Sequence, residues 1–237
     1  FALESREPIT NFDVIAFTLQ YELSYTNILN MLDLANVPIL RTERKLDDPF
    51  ILVGGPCAYN VEPMADFVDI VVLGEGEEVN LEILNAYKEW KKNKTTREDF
   101  LYQISSIEGV YIPSFYDVTY NEDNTVKEVV PNRENIPAKP HKRIIKDVEN
   151  VPYPEKLIVP FIDTVHNRVV LELFRGCTRG CRFCQAGMIY RPIREKSVDR
   201  LKEIVDKLVK STGYDEISLS SLSTSDYSKL SELTDYL

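Results

Sequence analysis

Between Arg168 and Gly187 the chain reads RVVLELFRGCTRGCRFCQAG. The opening RVVLELF, Arg168 to Phe174, is apolar and β-branched enough to predict a buried strand. The next segment packs three of the chain's four cysteines, Cys177, Cys181 and Cys184, into a C-x3-C-x2-C turn rich in glycine and arginine. Ser197 then caps a predicted helix whose stripe is Val198, Leu201, Ile204, Val205, Leu208 and Val209. A second strand, EISLS (Glu216 to Ser220), leads into the helical DYSKLSELTDYL. Upstream of this stretch, strand–helix alternation with glycines at the strand ends predicts a parallel sheet with any ligand at the carboxyl ends of its strands, and here two further strand–helix units follow one another.

The residues leave three readings of the cysteine turn open. Cysteines can be small buried hydrophobes, but the surrounding glycines and arginines signal an exposed loop. Structural zinc wants four ligands, and the other candidates are Cys57, far upstream, and His141 and His166. Three thiolates with no local fourth suit an iron–sulfur cluster that keeps one iron open. The charge here is lopsided. Arg175, Arg179, Arg182, Arg191, Arg194 and Lys196 face only Glu195, a local balance of +5 that fits a solvated basic loop or a site that handles anions.

Over all 237 residues the formal charge is −10, which argues against a general nucleic-acid binder. Hydrophobic residues at 43% and charged residues at 28% are ordinary for a globular protein. No apolar run is long enough to cross a bilayer, and no signal peptide stands at the start, so no membrane role is expected. Four cysteines in this length do not make a secreted disulfide scaffold, and the reducing cytoplasm is the expected compartment. The chain starts at Phe1, and two strand–helix units cannot close a sheet, so a fragment of a longer protein is expected.

Upstream, DVIAFTLQ (Asp13 to Gln20), FILVGGP (Phe50 to Pro56) and DIVVLGEGEEV (Asp69 to Val79) read as buried strands, the last two ending in glycine. A helix lies between the first two on Tyr25, Ile28, Leu29, Leu32 and Ala35, and another follows the third with Leu81, Leu84 and Trp90. From about Thr95 the character changes. One more helix spans Glu98 to Ser106, and FYDVTYNEDNTVKEVV predicts a β-hairpin turning at NEDN. Six prolines between Pro131 and Pro160 then deny regular structure and predict a surface connector. The expected organisation is an α/β domain over 1–97, a connector with a β-hairpin over 98–165, and a second α/β domain over 166–237. Cys57 is expected as a small packed residue. Glu172, interrupting an apolar strand, is expected either to face the lumen of the second domain or to have a surface or salt-bridged role.

The turn, with the aromatic Phe183 before its last cysteine and a strand–loop–helix context, resembles the radical S-adenosylmethionine superfamily. The wider string RGCTRGCRFCQAGMIYRPIRE is similar to a poorly characterised prokaryotic subgroup that carries a cobalamin-binding-like domain ahead of the radical domain. FTLQYELSYTNILNMLDLA, GGPCAYNVEP and GEGEEV extend the likeness along the chain. The resemblance implies a truncated Rossmann-like (flavodoxin-like) parallel sheet over 1–97 and the first two βα units of a partial TIM-type barrel over 166–237. It implies a 4Fe–4S cluster on Cys177, Cys181 and Cys184, whose open iron chelates S-adenosylmethionine. It places the backbone at Phe183 near the adenine, and Ser220, Ser221 and Ser223 where the superfamily's second strand grips the methionine amino group. In this chain those serines, in SLSSLSTSD, replace the usual glycine–glutamate pair, and capping the next helix is their other reading. Thr18, Gly54 and Gly55 fall where cobalamin domains hold the nucleotide loop, although residues 1–140 contain no histidine to serve as a lower cobalt ligand. A one-electron donor such as a flavodoxin or ferredoxin is the implied partner. The substrate stays open, and nucleic acid enters only by analogy with RNA-modifying relatives. The competing functions are an electron-transfer iron–sulfur protein and a zinc-stabilised interaction module.

Overall fold

The structure, a computed structural model, describes residues 1–162 and 164–237. It is a mixed α/β protein that divides into two compact units, 1–144 and 145–237. The segment expected as a connector is shared between them, its helix and hairpin falling in the first.

In the first unit β1 (Val14–Thr18), α1 (Tyr25–Leu34), β2 (Phe50–Gly54), β3 (Ile70–Val72), α2 (Gly76–Asn93), α3 (Arg97–Ile104) and β4 (Val110–Tyr111) follow one another. The sheet order is β1-β2-β3-β4. β1 runs parallel to β2, with Val14 opposite Phe50 and Thr18 opposite Gly54, and β2 runs parallel to β3. β4 closes the sheet antiparallel to β3 and is too short to show in the sequence pattern. β2 and β3 are buried as expected, but β1 is not: Ala16 and Thr18 are exposed because β1 is an edge strand.

The core of this unit centres on rings. Phe50, Tyr87, Trp90 and Phe100 pack with centroids 4.8 to 6.1 Å apart, at tilted or edge-on angles that suit aromatic quadrupoles. Truncating such a fully buried ring typically costs about 3–5 kcal/mol. α2 therefore buries Val79, Ile83, Tyr87 and Trp90, and turns Leu81 outward at 62% exposure. Thr96 and Asp99 form a reciprocal capping box that starts α3. β5 (Tyr116–Tyr120) and β6 (Val126–Pro131) make the expected hairpin, with Asn121 N–H bonded to Thr125 O across the turn.

The second unit contains β7 (Val169–Glu172), β8 (Phe174–Arg175), α4 (Ala186–Ile189), β9 (Arg194–Glu195), α5 (Val198–Thr212), β10 (Ile217–Ser220) and α6 (Leu230–Thr234). β7 and β10 pair in parallel, Val169 opposite Ile217 and Glu172 opposite Ser220. The single strand expected over RVVLELF is broken at Leu173 into β7 and β8. Its cause is a change of partner: Leu173 N–H donates to Ser220 O, while Leu173 O accepts from Lys196 N–H, so the chain leaves β10 for β9. α5 is capped by the Ser197 hydroxyl, which accepts from Arg200 N–H, and ends at Gly213 in the left-handed region. Its stripe buries Val198, Leu201, Ile204, Val205 and Leu208 against Val169, Leu171 and Leu173.

Candidate functional site

The cysteine loop leaves β8 through Gly176, which has φ +89°. A Cβ there would lie 2.7 Å from Pro192 O and 2.9 Å from Pro192 C, so only glycine lets the loop pass this close to residues 192–193. Cys177 and Cys184 are half-buried and Cys181 is exposed, and none is in a disulfide. The Arg179 backbone N–H donates to Cys177 Sγ at 3.5 Å, and that of Gly187 to Cys184 Sγ at 3.4 Å. Cys184 N–H donates to Cys181 O at 3.1 Å, closing the turn between the last two cysteines.

One turn thus gathers all three thiols, yet among the described residues no three histidine, cysteine or carboxylate groups already surround a metal position. Metal sites are commonly completed by the metal itself, because thiolate binding and loop closure are one event. The donor set fits an iron–sulfur group: three unbridged thiols, two already accepting backbone N–H groups, the kind of hydrogen bond that tunes cluster sulfurs.

The surrounding charges are organised. Glu172, at the end of β7, accepts from Arg175 Nε at 3.0 Å and from Lys196 Nζ at 2.6 Å. Lys196 is only 3% exposed and also donates to Glu172 O. Burial opposes ionisation of Glu172, but the hydrogen bonds from Lys196 and then Arg175 outweigh it and hold the carboxyl below its ordinary value. Of the two expectations for Glu172, the salt-bridged one is what the geometry shows. Arg179 reaches Asp226 with both Nε and Nη2, the Nε contact at 2.6 Å. That hydrogen-bonded pair lowers the Asp226 pKa and raises that of Arg179. Tyr227 donates to Lys196 O at 2.8 Å, and burial pushes its phenol up to about 12.

The serines after β10 divide. Ser220 is exposed, Ser221 Oγ lies 3.1 Å from Thr224 Oγ1, and Ser223 donates to Asp226 Oδ2 at 2.7 Å. Asp226 therefore joins the serine segment to the cysteine loop through Arg179. Its only sequence signal is an acid following a strand's carboxyl end, 47 residues from the arginine it meets. The Phe183 ring is 92% exposed.

In the first unit Thr18, Gly54 and Gly55 lie together at the carboxyl ends of β1 and β2. Leu19 N–H donates to Gly54 O at 2.7 Å and Cys57 N–H to Leu19 O at 3.0 Å. A Cβ on Gly55 would sit 2.9 Å from Leu19 O and 3.0 Å from Thr18 Cγ2. The double glycine lets the ends of the two strands approach closely. Cys57 is buried, as expected of a packed residue.

Comparison with known proteins fits this geometry. The family described as "Radical SAM proteins, N-terminal" matches residues 1–113, and "Radical SAM superfamily" matches residues 171–237, which include the cysteine loop, β10 and Asp226. The chain belongs to the radical SAM superfamily. It is also 31% identical over 241 aligned residues to an uncharacterized protein of Methanocaldococcus jannaschii, and the match covers all of this chain but 44% of that relative. The chain therefore spans under half the length of the curated relative it matches. No described helix is long and apolar enough to cross a membrane.

Proposed function

We propose that the chain carries the cofactor-binding part of an iron–sulfur enzyme that reductively cleaves S-adenosylmethionine. The observation that carries this reading is the cysteine loop: three unbridged thiols within eight residues, with two sulfurs already accepting backbone N–H groups. Cys177, Cys181 and Cys184 would hold a 4Fe–4S cluster. When bound, such a cluster supplies the electron that splits the sulfonium into methionine and a 5′-deoxyadenosyl radical able to take hydrogen from a substrate.

The chain's own residues supply position and charge. Gly176 lets the loop pass tightly against residues 192–193. Arg179, anchored by Asp226, holds positive charge beside Cys177 and Cys181, as an anionic cluster and a carboxylate-bearing ligand require. Glu172, neutralised by Lys196 and Arg175, fixes the end of β7 without leaving a free negative charge near that ligand. Phe183, with its ring in solvent, remains the candidate for the adenine contact, and Ser220, Ser221 and Ser223 for the methionine amino group.

In this reading residues 1–97 form a Rossmann-like domain, 98–165 a connector, and 166–237 the first two βα units of a barrel. A flavodoxin or ferredoxin in the cytoplasm would supply the electron. Thr18, Gly54 and Gly55, together at the carboxyl ends of β1 and β2, are the candidates for a cobalamin nucleotide loop in the longer protein.

The test is anaerobic reconstitution of the full-length protein. Iron and sulfide at four each per chain, with 5′-deoxyadenosine released on reduction with S-adenosylmethionine, is the expected result. Changing any of Cys177, Cys181 or Cys184 to alanine should remove both, and Cys57→Ala should keep both. A cluster that survives in Cys181→Ala would put the site elsewhere. A cluster that forms without cleavage would leave an electron-transfer protein, and tightly bound zinc in place of iron an interaction module.

A further inference from the structure

A cavity of about 330 Å³ in the first unit is walled by four arginines, Arg41, Arg44, Arg97 and Arg133, against two carboxylates, Asp69 and Glu98. Its place in the fold is unusual. Asp69 immediately precedes β3, and the Arg97 guanidinium lies 3.8 Å over the ring of Phe50, the first residue of β2. The cavity thus stands at the amino ends of the parallel strands, the edge opposite the one where such sheets ordinarily take ligands.

Two of the arginines are consumed by the fold. Arg44 gives Nε to Pro38 O, Nη1 to Asp69 Oδ2 at 2.9 Å, and Nη2 to Ile39 O and Phe67 O. Arg97 reaches Asp48 O, Pro49 O and, at 3.2 Å, the same Asp69 oxygen. Asp69 also accepts Ile51 N–H at 2.8 Å, so its Oδ2 gathers three donors.

The other two are not consumed. Among the described residues Arg41 uses only Nε, donating to Ala65 O at 3.1 Å, and its two terminal nitrogens have no protein acceptor. Arg133 pairs with Glu98 through Nη2 and lies 4.8 Å over the Phe115 ring, which leaves Nε and Nη1 without a protein acceptor among the described residues. Four cations against two anions leave the cavity wall at +2, inside a chain whose formal charge is −10. Holding like charges together opposes folding unless an anion offsets them. Planar guanidinium forks match phosphate oxygens in geometry as well as charge.

We propose that this cavity binds a small phosphate dianion, free or as a phosphomonoester, between the open ends of Arg41 and Arg133. Arg44 and Arg97 supply fixed positive charge behind it and Ser114 a hydroxyl at the wall. The charge of +2 matches one dianionic phosphate. The volume leaves room for a modest organic group, and the chain's overall negative charge disfavours a long polyanion. The proposal does not depend on the cysteine loop.

Thermal unfolding and calorimetric titration of the full-length protein with inorganic phosphate test it, at ionic strength matched with chloride. At saturation phosphate should raise the unfolding temperature of the first unit by about 3 °C over chloride. Arg133→Gln alone should weaken binding by about tenfold, and the Arg41→Gln, Arg133→Gln pair should abolish it, since each removes charge-assisted bonds. Adenosine 5′-monophosphate binding as well as inorganic phosphate would show recognition of the phosphate alone, and tighter binding would show a larger phosphomonoester. No effect beyond chloride, an undiminished effect in the paired variant, or tighter binding of a short oligoribonucleotide than of either probe would overturn the proposal.

Discussion

Arg44 and Arg179 each meet an aspartate, but the first pair is closed to water and the second open to it. The Arg44 side chain is 0% exposed and spends four hydrogen bonds on Asp69 and three backbone carbonyls. The Arg179 side chain is 59% exposed, and Asp226 is the acceptor of its fork. Burial makes the difference. A guanidinium removed from water must satisfy its donors within the protein, so it becomes part of the fold, and burial depresses its pKa even against Asp69. An exposed one keeps its hydration and can exchange partners at little cost.

The largest effect expected from this contrast comes from Arg44→Met. It would leave Asp69 with only Arg97 and a backbone N–H, and strand three carbonyls. Breaking a buried pair in this way costs about 3–5 kcal/mol. Urea unfolding of the variant should show a midpoint lowered accordingly, or no soluble protein at all. Arg179→Met should leave the midpoint almost where it was. Equal losses in the two variants would mean that the open pair is as structural as the closed one.

The second break concerns the loop that carries Arg179. Gly176→Ala forces an L side chain to φ +89° against the backbone at Pro192, a strain of about 1–3 kcal/mol. Gly187→Ala is its control, because the added methyl would meet only Cys184 Sγ, at 3.8 Å. Thermal unfolding should separate the two variants, and iron uptake should fall in the first and persist in the second. Unchanged uptake in Gly176→Ala would show that the loop does not need its close approach.

The features legible in the sequence are the local ones. The Ser197 cap, the α5 stripe, the glycine-ended β2 and the three-cysteine spacing are set by residues within a few positions of one another, and each has a local signature. The break at Leu173 has none, since it depends on Ser220 and Lys196 arriving from elsewhere. α2 carries leucines on more than one side, and only the rings of Phe50 and Phe100 decide that Tyr87 and Trp90 face inward while Leu81 does not. Asp226 and the arginine cavity escaped for the same reason. Their members come from distant segments, and no spacing rule connects Arg41 with Arg133.

A third, smaller effect tests the cap of α5, the helix packed against β7. Ser197→Ala removes the acceptor for Arg200 N–H and should cost about 1 kcal/mol, read as a lower unfolding midpoint in the second unit. Ser197→Asn should restore most of it, because its side-chain oxygen also accepts that N–H without setting a second carboxylate against Glu149. Failure of asparagine to rescue would trace the loss instead to the second bond of Ser197, its donation to Glu149.

The smallest effect lies between the closed and open extremes, at Glu172, which is part-buried between Lys196 and Arg175. Its folded pKa is depressed below the ordinary 4.5, so the unfolded chain binds the proton more readily than the folded one. The stability linked to its charge is therefore fully present above about pH 4.5. It is lost as pH falls from there through the lowered folded value. Glu172→Gln keeps the shape but removes the titration, and leaves the buried Lys196 without an anion. At neutral pH the variant should be the less stable protein, whereas on acidification its midpoint should fall less steeply than that of the parent. The two curves of stability against pH should converge below about pH 4.5. Parallel curves down to about pH 3 would show that the folded protein does not hold Glu172 below its ordinary value, and that the contrast between Arg44 and Arg179 does not extend to intermediate burial.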